Sequence, residues 1–332
     1  MKILIDIRIP KRKRRINNYT IQYILLLLKI VLANLVSIKN KRNINYYESK
    51  VHLIVKGSGE QKILYGSFNT NPSEVLVNGI KNNSCKKTCY LEGYINNVTL
   101  VFENKITSCR DMFNGLSNII GIDLSNFDFS EVTTMFWMFY GCSNLEKVNF
   151  GDINTSSVTN MRSLFFGCSN LNSIDLSNLN TSKVTTMHYM FYQCKKLKYL
   201  DLSSFNTSLV IDIGNMFRGC SSLECLNLYS FQIKSTTSKD YAFDGVPQSL
   251  KYCIKDEETK KILLDDKTSD CSDTCFKNNT KIDPCNNNDY KYKYNNICYK
   301  ECPNNTYSLF SEKTINENNK IECYKKYLLY YL

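Results

Sequence analysis

The chain has 332 residues, 43% of them hydrophobic, with a formal net charge of +11 and fifteen cysteines. That hydrophobic content excludes a wholly disordered chain. Residues 1–43 carry eleven Lys and Arg against Asp6 alone, so the remainder is close to neutral and a nucleic-acid partner loses its main support.

The basic start runs into the apolar stretch Ile21 to Val36. A positive region before a short apolar run is the layout of a secretory signal, with small residues at Val31-Leu-Ala33 for cleavage. Residues 1–36 are therefore read as a signal peptide or signal anchor. The apolar segment offers a route to membrane association, although it is shorter than the ~20 apolar residues of a comfortable span.

Residues 44–105 lack any repeat and read as extended: Val51 to Val55, Val75 to Val77 before Asn78-Gly79, and Val98 to Phe102. They are expected to form an N-terminal β cap stapled by Cys85 and Cys89.

From about Ile106 to Pro247 one signature recurs at a step of 26 residues: Met112-Phe113, Met138-Phe139, Leu164-Phe165, Met190-Phe191, Met216-Phe217 and Ala242-Phe243. A fixed period without insertion signals stacked copies of one supersecondary unit. In Ser182 to Cys194 the residues Val184, Met187, Met190, Phe191 and Cys194 share one face at helical spacing, which predicts a short helix with Ser182 as N-cap. Leu197, Leu200 and Leu202 then give the inward positions of a short strand, and Phe205 to Ser208 the turn that follows. Stacked strands would form a continuous parallel sheet.

The tail, residues 248–332, is rich in Asn, Lys and Cys and reads as a disulfide-held region. It closes on Lys325 to Leu332, too short a run to cross a bilayer. The spacings Cys85-x3-Cys89, Cys271-x3-Cys275 and Cys298-x3-Cys302, with only two histidines in the chain, fit no zinc motif. Disulfides in an oxidising compartment are expected instead, with Cys225 directed towards Cys253. Cys142, Cys168, Cys194 and Cys220 sit at the repeat step, and Leu116 and Val246 share their rung, so these thiols and Cys109 read as core residues.

No Gly-rich phosphate loop, paired carboxylates or Ser/His/Asp set emerges. His52 and His188 stand apart, the second as a helix-surface residue. The reading is therefore of a protein that is no enzyme, with no catalytic residue, no cofactor and no metal. Sequons at Asn82, Asn97, Asn154, Asn180, Asn206, Asn278 and Asn304 permit N-glycans, but Asn-Thr-Ser at 154, 180 and 206 is also the repeat's own turn. The surface left for recognition is the outward row of the strands: Asp123, Asn149, Asp175, Asp201 and Asn227, with Lys147 and Tyr199 beside them. A polar row can bind a ligand or simply keep an exposed sheet wet. Trp137 and Tyr140 form a second candidate contact on the opposite side.

Met138 to Leu145 (MFYGCSNL), Ile174 to Thr185 (IDLSNLNTSKVT) and their copies resemble the BspA-type leucine-rich repeat of microbial surface proteins, over about residues 106–247. Cys298 to Tyr307 resembles the Cys-rich modules of protist surface proteins. The resemblance implies an α/β fold: a right-handed leucine-rich-repeat solenoid of about six repeats, with short strands on one face and short helices on the other. It also implies secretion or cell-surface display and an adhesion-type role, binding a protein or glycan ligand. The alternative is a structural coat or spacer protein without a specific ligand.

Overall fold

The computed structural model describes residues 48–264, Cys271, and the strand segments 292–294, 297–299, 306–308 and 321–325. The leader at 1–36 lies outside these residues.

Strands β1 (Ser49–Lys56), β3 (Glu74–Val77), β4 (Ile80–Lys81) and β6 (Ile95–Phe102) pair antiparallel, while β2 (Gly59–Lys62) pairs with β5 (Thr88–Leu91). β1 buries Val51, Leu53 and Val55 on alternate positions, the period-2 pattern of a strand with one face in the core. Asn78-Gly79 closes the β3–β4 hairpin with both residues at positive φ (51° and 84°), the tight turn whose twist matches the flanking strands. The other edge of β1 pairs with β7 (Ile119–Asp123), and β7 pairs parallel with β8 (Lys147–Asn149), one repeat on. These non-repeating strands thus share one six-stranded sheet, ordered β4-β3-β6-β1-β7-β8, with the first two repeats.

A second, three-stranded parallel sheet joins β9 (Tyr199–Asp201), β10 (Cys225–Asn227) and β11 (Lys251–Cys253). It is followed by α1 (Glu257–Leu264), whose first-turn N–H at Thr259 is capped by the Asp256 carboxylate at 2.8 Å. In the tail, β12 (Tyr292–Tyr294), β13 (Ile297–Tyr299), β14 (Thr306–Ser308) and β15 (Ile321–Lys325) form a four-stranded sheet ordered β13-β12-β15-β14.

The architecture corrects the expected α/β solenoid of the leucine-rich-repeat type. Among the described residues the one helix is α1, after the repeats, and the strands fall into several small sheets. Residues 182–194, expected to be helical, form consecutive turns. Met190, Tyr192 and Cys194 donate to the carbonyls three residues back, whereas Met187, Tyr189, Phe191 and Gln193 donate to Asp212, Gly214, Met216 and Arg218 of the next repeat. A helix would need those same N–H groups for its own i−4 carbonyls. Tyr189 and Gln193, both at φ 58°, are left-handed and break any helical run. The 26-residue step appears as a ladder of single parallel bridges through Ser108, Thr134, Asn160, Thr186, Asp212 and Ser238.

The core is a set of ladders at that step. Phe113, Phe139, Phe165, Phe191 and Phe217 are fully buried and stack with centroids 5.2 to 5.9 Å apart. Thr155, Thr181 and Thr207 are buried too. Each hydroxyl donates to the carbonyl of the residue 25 ahead and accepts that residue's N–H, so a polar side chain is satisfied inside the core.

Candidate functional site

The row expected to face solvent does one shared job. The Oδ1 atoms of Asp123, Asn149, Asp175, Asp201 and Asn227 accept the N–H two residues ahead, from Ser125, Gly151, Ser177, Ser203 and Tyr229, at 2.8 to 3.1 Å. This is the turn in which a short Asx side chain replaces a backbone acceptor. Asp123 Oδ1 also accepts Asn149 Nδ2 at 3.0 Å, linking two repeats.

The row is not evenly exposed. Asp123, Lys147 and Cys225 are buried, Asn149, Tyr199 and Asn227 are intermediate, and Asp175 and Asp201 are open to solvent. Lys147 is engaged by a partner, and the Tyr199 hydroxyl donates to Glu224 Oε2 at 2.9 Å, a bond that, with lesser contributions from burial and the Glu224 charge, raises its pKa. Of the seven named residues, the structure leaves Asp175 and Asp201 the freest to meet a ligand.

Between them and β8 the sheet breaks. Residues 173–175, in register to be a strand between β8 and β9, pair with neither. Leu124, Leu202 and Leu228 donate to Asn149, Asn227 and Cys253 of the next repeat at 2.7 to 2.8 Å. Phe150, at the same position one repeat after Leu124, is buried, and its N–H reaches no backbone acceptor among the described residues. Phe150 stands where Leu124, Leu176, Leu202 and Leu228 stand in other copies, and the N–H of Leu176, on the far side of the break, likewise reaches no backbone acceptor among the described residues. The Phe150 ring lies edge-on to Phe139 and Phe165, 6.3 and 6.4 Å away, on the core side of the break.

The opening is a hollow of ≈ 120 Å³. Val148, Phe150, Ile174 and Leu176 supply apolar wall, and Asn149, Ser173, Asp175 and Asn178 are its polar neighbours. Ile174 is only half-buried, whereas its counterparts Ile122, Leu200 and Leu226 are buried. Asn178 Nδ2 pins the rim by donating to the Gly151 carbonyl and Asp152 Oδ1, both at 2.9 Å.

The remaining candidates fall elsewhere. Asn154, Asn180 and Asn206 are exposed at one corner, each with Oδ1 accepting the N–H two residues on. Asn97 lies within β6, half-buried, and Asn278 is outside the described residues. Trp137 and Tyr140 join an aromatic ribbon in which Tyr140, Phe166 and Tyr192 stack at 4.4 and 4.5 Å. Sequence reading missed a pairing there: His188 Nδ1 lies 2.7 Å from Asp212 Oδ2, a contact legible only once the repeat register is known.

Cys85 is bonded to Cys89 and Cys253 to Cys271. Cys225 is also disulfide-bonded, but Cys253 is already engaged, which corrects the expected pairing of those two. Cys275 and Cys302, and the side chain of Cys298, lie outside the described residues. Cys109, Cys142, Cys168, Cys194 and Cys220 are buried free thiols. The last four donate S–H to the carbonyls of Phe113, Phe139, Phe165 and Phe191 at 3.0 to 3.2 Å, and burial pushes the Cys142 and Cys220 pKa up to about 12. Among the described residues no group of three His, Cys, Asp or Glu could hold a metal ion, and no helix is long and apolar enough to cross a membrane.

The profile of a family described as Mycoplasma protein of unknown function, DUF285, matches residues 107–224 and 146–256. The two matches overlap and together span less than half of the chain, so the similarity is one of the repeat region. No curated protein and no solved structure matches.

Proposed function

We propose that the protein is a secreted or cell-surface binding protein that captures a protein or glycan ligand on the face carrying Asp175 and Asp201. The observation that carries this reading is the break in the sheet. It interrupts a repeated scaffold at one place, on the row with open carboxylates, and leaves a hollow with mixed apolar and polar walls. A few polar groups converging on an apolar concavity are the usual make-up of a binding site. Five disulfide-bonded cysteines in the repeat region and its flanks, Cys85, Cys89, Cys225, Cys253 and Cys271, support an oxidising compartment. The resemblance of the repeats to those of microbial surface proteins supports the same reading.

The test is a binding screen of the purified protein against matrix proteins, glycans and whole cells, repeated with Ser173→Trp and Asp201→Lys. Ser173 makes one side-chain hydrogen bond, to its neighbour Asn172, so the indole fills the hollow without removing a turn cap. Capture lost in these variants with an unchanged circular dichroism spectrum is the expected result; capture retained in both removes this face. For the compartment, mass spectrometry should find a processed N-terminus and intact disulfides. An intact Met1 with all cysteines reduced overturns it.

A further inference from the structure

We propose that the hollow between residues 147–151 and 173–179 takes a single neutral sugar ring of a glycan. The proposal rests on the binding reading above and narrows it to one ligand class.

Size is the first argument. In the measure in which one water needs about 10–15 Å³, a space of ≈ 120 Å³ has room for roughly ten waters, close to the number of heavy atoms in one monosaccharide and short of a multi-residue peptide segment.

The second argument excludes an added β-strand. A strand entering the break would need strand-to-strand spacings of about 4.8 Å on both sides. The layers cannot part that far, because the bridges from Thr134 to Asn160 and from Asn160 to Thr186 are closed. Bonds from Phe139 N–H to Leu164 and from Phe165 N–H to Met190, at 3.1 and 2.9 Å, clamp the same repeats from within. The opening is a fixed notch, not an edge awaiting a partner chain.

Wall chemistry is the third. Half-buried Ile174 with Leu176 and Phe150 offers apolar surface to the C–H face of a ring. The Phe150 N–H is an unmatched donor, and such a buried group costs about 1–3 kcal/mol until it finds an acceptor. Asp175 Oδ2 is a free acceptor, since Oδ1 alone receives the Ser177 bonds, and Ser173 adds a hydroxyl. Donor, acceptor and apolar wall within one small space match a ring whose hydroxyls both donate and accept. Lys147, buried beside the hollow, and Asp175, exposed at its rim, are of opposite charge, so the lining carries no formal net charge.

Saturation-transfer NMR of the whole protein tests this with a panel of free monosaccharides at millimolar concentration: glucose, galactose, mannose, fucose, N-acetylglucosamine and N-acetylgalactosamine. At least one sugar should receive saturation, and Ser173→Trp should weaken its binding at least tenfold. Asp175→Asn keeps the Oδ1 acceptor of the turn while replacing Oδ2 with an amide, so it folds; it should weaken the same sugar severalfold. Lys183→Ser, at an exposed residue outside the hollow, should leave free-sugar binding unchanged. No saturation of any sugar, or equal saturation in wild type and Ser173→Trp, overturns the proposal. If no sugar binds while Ser173→Trp still abolishes macromolecular capture, the ligand class is wrong and the binding face stands. If capture also survives Ser173→Trp and Asp201→Lys, both readings fall.

Discussion

Phe165→Ala tests the claim that the repeats are held by an inward aromatic ladder. The ring is fully buried, stacked 5.2 Å from Phe139 at an interplanar angle of 8° and 5.6 Å from Phe191 at 13°. Removing a buried Phe costs about 3–5 kcal/mol through lost transfer energy and the cavity left behind. Two lost ring pairs add about 0.5–1.5 kcal/mol each. The total is comparable with the whole stability of an ordinary domain, which is about 5–15 kcal/mol. Phe166→Ala is the control. Phe166 has equally close ring neighbours, Tyr140 at 4.4 Å and Tyr192 at 4.5 Å, but it is half-exposed on the outer ribbon. There the stacking is lost without a deep cavity, and the cost should stay near 1–2 kcal/mol. Urea unfolding with disulfides intact, followed by circular dichroism, measures both. Equal losses in the two variants, or a loss below about 2 kcal/mol for Phe165→Ala, would refute the reasoning, because burial and not ring contact would then have been misjudged.

Thr181→Val keeps the shape of the buried side chain but strands the Asn206 N–H and carbonyl, so stability should fall by about 1–3 kcal/mol in the same assay. At Gly151, φ is +61° and an added Cβ would lie 2.6 Å from the Ser125 Cβ and 2.8 Å from its Cα, so Gly151→Ala should destabilise more than Gly115→Ala, where the φ is similar but the space is open. The buried thiols make stability fall in alkali. Their folded pKa is raised while the unfolded thiol ionises near its ordinary ~8.5, so the unfolded state holds fewer protons above that pH and stability is lost as pH rises. Each thiol contributes about 1.4 kcal/mol per pH unit in that window, and Cys168→Ala should remove its share of the slope. Ellman's reagent without reductant should find these five thiols silent in the folded protein and reactive in urea; reaction in the folded state would contradict their burial.

Inward positions were legible because burial leaves a periodic trace. Met112, Met138, Met190 and Met216 with the phenylalanines after them, and the cysteines four residues after the last three, are inside as their repetition implies. The helix was misread for a related reason. Val184, Met187, Met190, Phe191 and Cys194 do share a face, but a coil of tight turns with left-handed residues at Tyr189 and Gln193 brings the same positions together. Side-chain spacing reports which residues face inward, and it says nothing of where each N–H goes. In residues 187–193 the N–H groups go to the neighbouring repeat, information that resides in stacking and not in any single copy.

The site shows the converse. Asp123, Asn149, Asp175, Asp201 and Asn227 drew notice because they repeat, and the repetition has a local cause, the turn each one caps. What repeats along a stack serves the stack. A ligand that occupies one place must be recognised by what occurs once, and one departure at this face is Phe150, an inward residue that attracts no attention in a search for polar groups. Its bulk lies in the core beside the place where residues 173–175 fail to pair and the hollow opens. Phe150→Leu tests whether that bulk holds the break open: it should let residues 173–175 pair with β8, close the hollow and abolish ligand capture while leaving every polar side chain that could touch the ligand in place. Amide exchange reads the first effect as new protection of the residue-150 N–H. Capture retained alongside that protection would show that the hollow is not where the ligand binds.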